Sequence, residues 1–146
     1  MTVTTGTEAL VRRATTWRSV MSWTFRGSSI CVGPGEVRGE QLGDVVVWMG
    51  KLFPDVHREL HRVNVLRDVV AIELSIQGTF LGPFETPAGV IQPTGAKLDI
   101  PTADFWYVRD GKIQTFNCHI GTTAMFAQLG VLPDFASAVA ASAPER

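Results

Sequence analysis

The chain has 146 residues, of which 45% are hydrophobic and 18% are charged, and its formal net charge at pH 7 is -1. A chain of this length can bury a core, so we expect residues 1–146 to form a single domain with a weakly structured tail over 134–146. The small net charge provides no basic field, so no nucleic-acid partner is expected. No apolar run reaches the roughly 20 residues of a membrane span, and the N-terminus does not resemble a signal peptide. These features predict a soluble, cytoplasmic protein with no membrane partner.

Apolar residues at helical spacing mark two predicted helices in the first third of the chain. The first covers about 7–21, after Thr5 and Glu8 at the spacing of a capping box. The glycine-rich segment that follows should be a loop with at most a short strand. The second helix covers 38–53 and ends before Pro54, because proline disfavours helical backbone angles in the residue that precedes it.

Two strands are expected next, over 56–66 and 69–80, with a tight turn at 67–68. This register sets Arg62 opposite Glu73, where the two side chains can form a cross-strand ion pair.

The most prominent feature is a predicted β-hairpin over 97–119, in which two aromatic and β-branched runs flank Asp110 and Gly111. Opposed residues of a hairpin share a face, so one face carries apolar residues near the turn and a polar group at its far end. The members of this polar group are Thr102, Asp104, Asn117 and His119. A polar cluster inside an apolar concavity is typical of a ligand site. A slip by one residue would exchange the two faces.

The other face of this hairpin is too apolar to be left in water. Its row is Phe105, Tyr107, Phe116 and Cys118. We therefore expect a homodimer that uses this convex face.

The remaining segments are predicted to be a loop and short helices. The segment 82–95 is rich in proline and glycine, and a loop of this length is expected to gate a pocket. Thr122 or Thr123 should cap a short helix that stops at Gly130, and a weak helical stretch follows Pro133. Helices and then antiparallel strands in this order argue for the α+β class, with helices on one side of a curved sheet.

Five segments, taken in order and spacing, resemble the SnoaL-like polyketide cyclase family: PDVHREL, VVAIELSIQGTFLGPF, PTGAKLDIP, ADFWYVRDGKI and AQLGVLP. The resemblance covers about 27–133. It implies the cone-shaped α+β fold shared with ketosteroid isomerase and limonene-epoxide hydrolase, in which a curved antiparallel sheet has helices on its concave side. This fold is also described as nuclear-transport-factor-2-like or cystatin-like.

The resemblance also implies a homodimeric, cofactor-free enzyme of secondary metabolism that closes a ring in a polyketide. Asp104 stands where ketosteroid isomerase has a carboxyl group that donates a hydrogen bond to a developing oxyanion. His119 stands where the cyclases have an acid/base aspartate, and histidine can do this work near neutral pH.

Asp104 and His119 are therefore the expected catalytic residues, and Asn117 is expected to orient either group or to bind a substrate carbonyl. For each of the three, the structural alternative is a side chain that is only hydrogen-bonded in the interior. A second set is expected to contact the substrate, although most of its members are also simple candidates for the core. These residues are Trp17, Met21, Trp48, Met49, Phe53, His61, Thr102, Trp106 and Thr115. No metal-ligand spacing is present, so no metal is expected, and the resemblance implies that no cofactor is needed.

Three functions of different kinds remain open. The first is polyketide ring closure, either by proton transfer or by templating a cycloaddition in an apolar pocket. The second is an epoxide hydrolase or isomerase, which needs an arginine that converges with a carboxylate on one water. Arg58 and Arg62 are interpreted as solvated residues, so no inward arginine is expected. The third is a non-catalytic dimer that binds a small molecule.

Overall fold

The computed structural model describes residues 29–32, 35–38, 41–110, 112–131 and 135–142. The helix expected over 7–21 lies outside these ranges, and so do Trp17 and Met21. Within them, no helix is long and apolar enough to cross a membrane.

The described elements follow the predicted order, with one helix followed by antiparallel hairpins and then short helices. In chain order they are β1 (Ser29–Val32), β2 (Gly35–Arg38), α1 (Gln41–Leu52), β3 (His57–Leu66), β4 (Val69–Thr79), β5 (Phe84–Thr86), β6 (Gly89–Ile91), β7 (Lys97–Arg109), β8 (Lys112–Ile120), α2 (Thr122–Gln128) and α3 (Phe135–Ala141).

Six strands form the main sheet in the order β2-β1-β8-β7-β4-β3, and β5 and β6 form a separate small hairpin. All neighbours in the main sheet run antiparallel except β1, which runs parallel to β8. The α+β class with a mainly antiparallel curved sheet is thus confirmed. The short strand β2 and the β5–β6 hairpin lie where the sequence predicts loops.

The turns of the two long hairpins lie where the sequence predicts them. Arg67 and Asp110 both have φ 52°, the left-handed conformation that these tight turns require of their first residue. Arg62 lies opposite Glu73, and the predicted ion pair is present with 3.8 Å between its nitrogen and oxygen atoms, fully on the surface. The start of α2 differs from the prediction, because Gly121 is its N-cap and no side chain caps it.

Helix α1 covers the inner face of the sheet with Met49 and Leu52, and Phe53 directly follows them in the same core. The chain then returns to the end of this helix, where the backbone nitrogen of Gly82 donates to the carbonyl oxygen of Leu52. A Cβ atom at Gly82 would lie 1.9 Å from the carbonyl oxygen of Lys51, so only glycine permits this approach. The segment 82–95 is therefore anchored on the helix side of the sheet.

Two β-bulges decide which side chains reach the inner face. In β8 the pairing Val108 with Ile113 agrees with the predicted register, but the next pair is Tyr107 with Thr115, so Gln114 is an extra residue. In β3 the pairing passes from Leu60 to Arg62, which makes His61 the extra residue there. A single extra residue exchanges the faces of everything beyond it.

The bulges make several predicted placements wrong. In β8, Asp104 lies opposite Cys118, and Ala103 lies opposite His119. Phe116 and Cys118 are therefore buried on the inner face, with relative exposures of 1% and 2%, instead of forming part of a convex row.

The same inversion in β3 turns Arg58 inward. It lies opposite the core residue Ile76, and it is only 4% exposed. His61, a candidate substrate contact whose predicted face also holds Val63 and Val65, is exposed and contacts Ser75 Oγ through its Nε2 at 2.8 Å.

Asp55 ties the start of β3 to the end of β4. Its carboxylate accepts hydrogen bonds from the backbone nitrogen and the hydroxyl of Thr79, both at 2.6 Å. These two bonds, the side-chain one first, lower the pKa of Asp55 below 3.8. A carboxyl group with a lowered folded-state pKa stabilises the fold above its unfolded pKa, and this contribution is lost as the pH falls through the folded value.

We therefore expect Asp55→Ala to lower the free energy of unfolding by about 1 kcal/mol at pH 7, because Asp55 is exposed and its hydrogen bonds compete with water. The difference from the wild type should shrink as the pH falls below about 4. Urea unfolding at a series of pH values measures it, with Glu85→Ala as a control for the loss of one exposed carboxylate. A difference that is constant with pH would contradict this account.

Candidate functional site

A charged carboxyl group lies at the centre of the inner face of the sheet. Asp104 in β7 is 0% exposed, and its neighbours across the sheet are Ile72 of β4 and Cys118 of β8. An ionisable side chain among apolar neighbours is costly to bury without a partner, and sites of this kind are often functional.

The partner of Asp104 is Arg58 from the edge strand β3. The Nη2 atom of Arg58 donates a hydrogen bond to Asp104 Oδ2, and both side chains are fully shielded from solvent. The guanidinium carbon also lies 5.7 Å from the ring centroid of Trp106 and 6.0 Å from that of Phe116. The arginine is thus held by one anion and two aromatic rings, both of which attract a cation.

Burial sets the charge states around this pair. It lowers the pKa of the Arg58 guanidinium to about 10, which still leaves the group protonated at pH 7. It raises the pKa of the Cys118 thiol to about 12, with Arg58 opposing the shift, so this cysteine is a thiol at neutral pH and not a nucleophile. In its ion pair with Arg58, the Asp104 carboxylate can only accept hydrogen bonds.

Two polar atoms on this face have no hydrogen-bond partner among the described residues. They are Asp104 Oδ1, an acceptor, and Trp106 Nε1, a donor. Trp106 is 0% exposed, and its ring meets Phe116 edge to face with 5.9 Å between the centroids. Thr102, next along the strand, is inward as predicted, but its hydroxyl already donates to the carbonyl oxygen of Ile100.

The two other expected catalytic residues are not brought to Asp104. Asn117 and His119 lie on the outer face, where the ring of His119 contacts Phe105 with 5.8 Å between the centroids. The bulge at Gln114 causes this, because it exchanges the faces of all later residues in β8. The catalytic roles expected for Asn117 and His119 assumed that both share a face with Asp104, and the observed register does not place them there.

The expected substrate contacts divide in the same way. Met49 and Phe53 are buried in the core beside the inner face, and Trp106 lies on that face. Thr115 pairs with the outward Tyr107 and so points away from the site. Trp48 is 42% exposed on α1, and its ring meets Phe84 of β5 with 5.8 Å between the centroids.

Arg58 is the site residue that the sequence interpretation missed. Its charge favours a solvated position, and a β3–β4 register extended from the turn without the bulge at His61 also places Arg58 outward. Leu60 is the sequence feature that indicates the inward position of Arg58. A leucine beside the apolar strand β4 favours burial, and Arg58 lies on the same face of β3 as Leu60. Within the described ranges, no three His, Cys, Asp or Glu residues form a group that could hold a metal ion.

The buried and the exposed arginine–carboxylate pairs of β3 provide a matched comparison. Arg58→Gln leaves Asp104 without its counter-charge in a solvent-free place, so we expect it to lower the free energy of unfolding by about 3–5 kcal/mol. Arg62→Gln removes a pair whose side chains are 68% and 63% exposed, and we expect a loss below about 1 kcal/mol.

Urea unfolding followed by tryptophan fluorescence measures both differences. If Arg58→Gln does not fold while Arg62→Gln is stable, this outcome also supports the larger contribution of the buried pair to the free energy of unfolding. Equal losses in the two variants would contradict the role given to the buried pair.

Solved structures with this architecture come from several bacteria. The chain superposes on AclR, a candidate hydroxylase from Streptomyces galilaeus, with a TM-score of 0.77 and 20% identity over 97% of this chain and 95% of that one. For a candidate SnoaL-like polyketide cyclase from Jannaschia sp. CCS1, the TM-score is 0.76 and the identity is 17%, over 91% of this chain and 97% of that one. For IdmH, a candidate polyketide cyclase from Streptomyces antibioticus, the TM-score is 0.65 and the identity is 19%, over 90% of this chain and 100% of that one. At these identities the likeness establishes the fold.

The sequence comparison is more specific than the superpositions. No curated protein matches the chain. The family model for SnoaL-like polyketide cyclases matches residues 34–129, which is more than half of the chain and includes both Arg58 and Asp104. The chain therefore belongs to the SnoaL-like polyketide cyclase family.

Proposed function

We propose that this protein is a cofactor-independent polyketide cyclase whose polar centre is the Arg58–Asp104 pair. The observation that carries the proposal is a carboxylate, 0% exposed, on a mainly apolar inner face, with one oxygen held by Arg58 and the other without a partner among the described residues. The family membership supplies the reaction class.

The chemistry available to such a carboxylate is the transfer of one proton. Asp104 removes a proton from a carbon next to a carbonyl, the resulting enolate attacks a second carbonyl of the same chain, and the new alkoxide receives a proton. An aspartate carboxylate is a weak base, and Arg58 already engages one of its two oxygens. The carbon acid must therefore be acidic itself, as the carbon between two carbonyl groups of a poly-β-ketone is.

A second route to a ring uses the same surface without proton transfer. The apolar inner face with Trp106 and Phe116 can hold the two ends of a reactive polyene in a near-attack arrangement, which alone can supply several kcal/mol. In this route Asp104 and Arg58 only polarise or orient a carbonyl group. The two routes differ in how much the rate of ring closure falls when the charge of Asp104 is removed.

An epoxide hydrolase or isomerase is the second candidate function. This reaction needs a carboxylate and an arginine that converge on one water, and the Arg58–Asp104 contact supplies this combination. The products differ, because hydrolysis adds one water to the substrate, whereas ring closure leaves the mass unchanged or loses a water.

Access to the pair requires a movement, because both side chains have no exposure to solvent. We include in the proposal that the segment 82–95 is the gate. Its base is anchored on Leu52, and Phe84 near that base contacts the ring of Trp48 on α1, whereas residues 87–90 at the turn of the small hairpin are exposed. An exposed turn of this kind can move at a lower cost than a buried segment.

Asp104→Asn keeps the shape of the side chain and removes its charge. We expect it to slow conversion of a linear polyketide with a β-dicarbonyl unit by at least about 100-fold if the carboxylate moves a proton, and by less than about tenfold if the pocket acts by shape. Mass spectrometry of the product, with circular dichroism to confirm folding, measures this.

Glu73→Gln is the matched control, because this carboxylate is 63% exposed on the outer face. His119→Ala tests the assignment based on the predicted register, and its outward ring predicts a loss below about tenfold. A larger loss in His119→Ala than in Asp104→Asn would contradict the proposed centre. Binding without any turnover would favour the non-catalytic alternative.

We also propose that the protein is a homodimer through the outer face of the central strands. Phe105 and Tyr107 of β7 are 38% and 43% exposed on this face, in the middle of the six-stranded sheet. Adjacent exposed aromatic residues on a sheet favour contact with a second copy.

Phe105→Glu is expected to convert the dimer into a monomer without unfolding it, because the side chain is already partly solvated. Light scattering after size-exclusion chromatography measures the mass, and Phe105→Leu is the control that keeps the surface apolar. An unchanged mass for Phe105→Glu would contradict this interface. Phe116→Glu is unsuitable for this purpose because Phe116 is part of the core.

A further inference from the structure

Asp104 and Trp106 present opposite hydrogen-bonding needs side by side. They are two residues apart on one face of β7, and each is 0% exposed. This spacing along a strand is about 7 Å between Cα atoms. Both side chains therefore project from the same short stretch of the inner face.

The needs of the two atoms are complementary. The indole Nε1 of Trp106 can only donate, and it has no acceptor among the described residues. The carboxylate of Asp104 has Oδ2 engaged by Arg58, and its Oδ1 requires a donor. Buried polar atoms left in this state are costly, so a ligand that satisfies both binds more tightly than one that satisfies neither.

The charges nearby narrow the kind of ligand. The guanidinium of Arg58 lies beside Asp104 and over the ring of Trp106, so a cation is repelled there. The carboxylate of Asp104 likewise repels an anion. The remaining class is a neutral ligand with a donor and an acceptor on the same edge.

We propose that the inner face binds the hydroxy-carbonyl edge of its ligand, with Asp104 Oδ1 accepting from the hydroxyl group and Trp106 Nε1 donating to the carbonyl oxygen. The chemical class is a β-hydroxy ketone or the enol of a β-diketone. This inference rests on the proposed cyclase function for the identity of the site, and it specifies the group that the site recognises. It also reverses the role that the resemblance implies for Asp104, since an ion-paired carboxylate accepts a hydrogen bond and does not donate one.

A series of three small probes tests this without any turnover. The aldol adduct of benzaldehyde and acetone has the hydroxyl and the carbonyl, benzylacetone has only the carbonyl, and butylbenzene has neither. Calorimetric titration of the wild-type protein should give affinities in this order, with about a threefold to tenfold difference for each group, as expected for one hydrogen bond.

The donor is tested by Trp106→Phe, which keeps an aromatic ring and removes the N–H. This variant should lose the preference for benzylacetone over butylbenzene, while Tyr107→Phe, on the outer face of the same strand, should retain it. A spectroscopic measurement on the wild type keeps the test valid if the variant does not fold. The chain has four tryptophans, and the indole N–H resonance of each can be followed by NMR. We expect the resonance of Trp106 to move downfield with the adduct and with benzylacetone, but not with butylbenzene.

Equal affinities for the three probes, no measurable binding of the adduct, or an unchanged set of indole resonances would overturn the inference. Its failure is distinguishable from failure of the proposed function. A protein that cyclises a polyketide but does not discriminate among the probes fails the inference alone. A protein that ranks the probes as expected and has no turnover retains the recognition site and loses the cyclase proposal.

Discussion

The fully buried ion pair of Arg58 and Asp104 is the interaction on which the inner face depends. Two charges in a place without solvent are tolerated only when they compensate each other and when further groups stabilise them. The rings of Trp106 and Phe116 stabilise the guanidinium, and apolar residues of β4, β7 and α1 close the surroundings. The pair thus links the edge strand of the sheet to its centre, and the core is built around it.

Single-residue irregularities in two strands make this arrangement possible. The extra residue at His61 turns Arg58 toward the core, and the extra residue at Gln114 turns Cys118 toward Asp104 while it moves His119 to the outside. Because side chains alternate along a strand, one inserted residue has as much effect on the site as many substitutions would have. The chemistry of this chain is therefore determined by strand register as much as by residue type.

Arg58 also changes what Asp104 can do. A lone carboxyl group in an apolar pocket tends to be neutral, and it can then donate a hydrogen bond. A carboxylate paired with a guanidinium is an acceptor and a weak base, which suits an acidic carbon or a hydroxyl group of the ligand. The same pair also has the arginine and the carboxylate that a hydrolytic reaction needs, although the family membership favours ring closure.

The sequence by itself determined the class of the fold, the turns at Arg67 and Asp110, and the burial of Asp104, because these follow from local turn chemistry and the alternation of apolar residues. Only the tertiary structure decided which polar residues meet at the site. A bulge leaves no clear mark in a single sequence, since its cost is offset by packing across the sheet. The outward position of His119 could therefore not be predicted, and only the face that it shares with Leu60 indicated the inward position of Arg58. The contact of Arg58 with Asp104, 46 positions away, depends on the order of strands β3, β4 and β7.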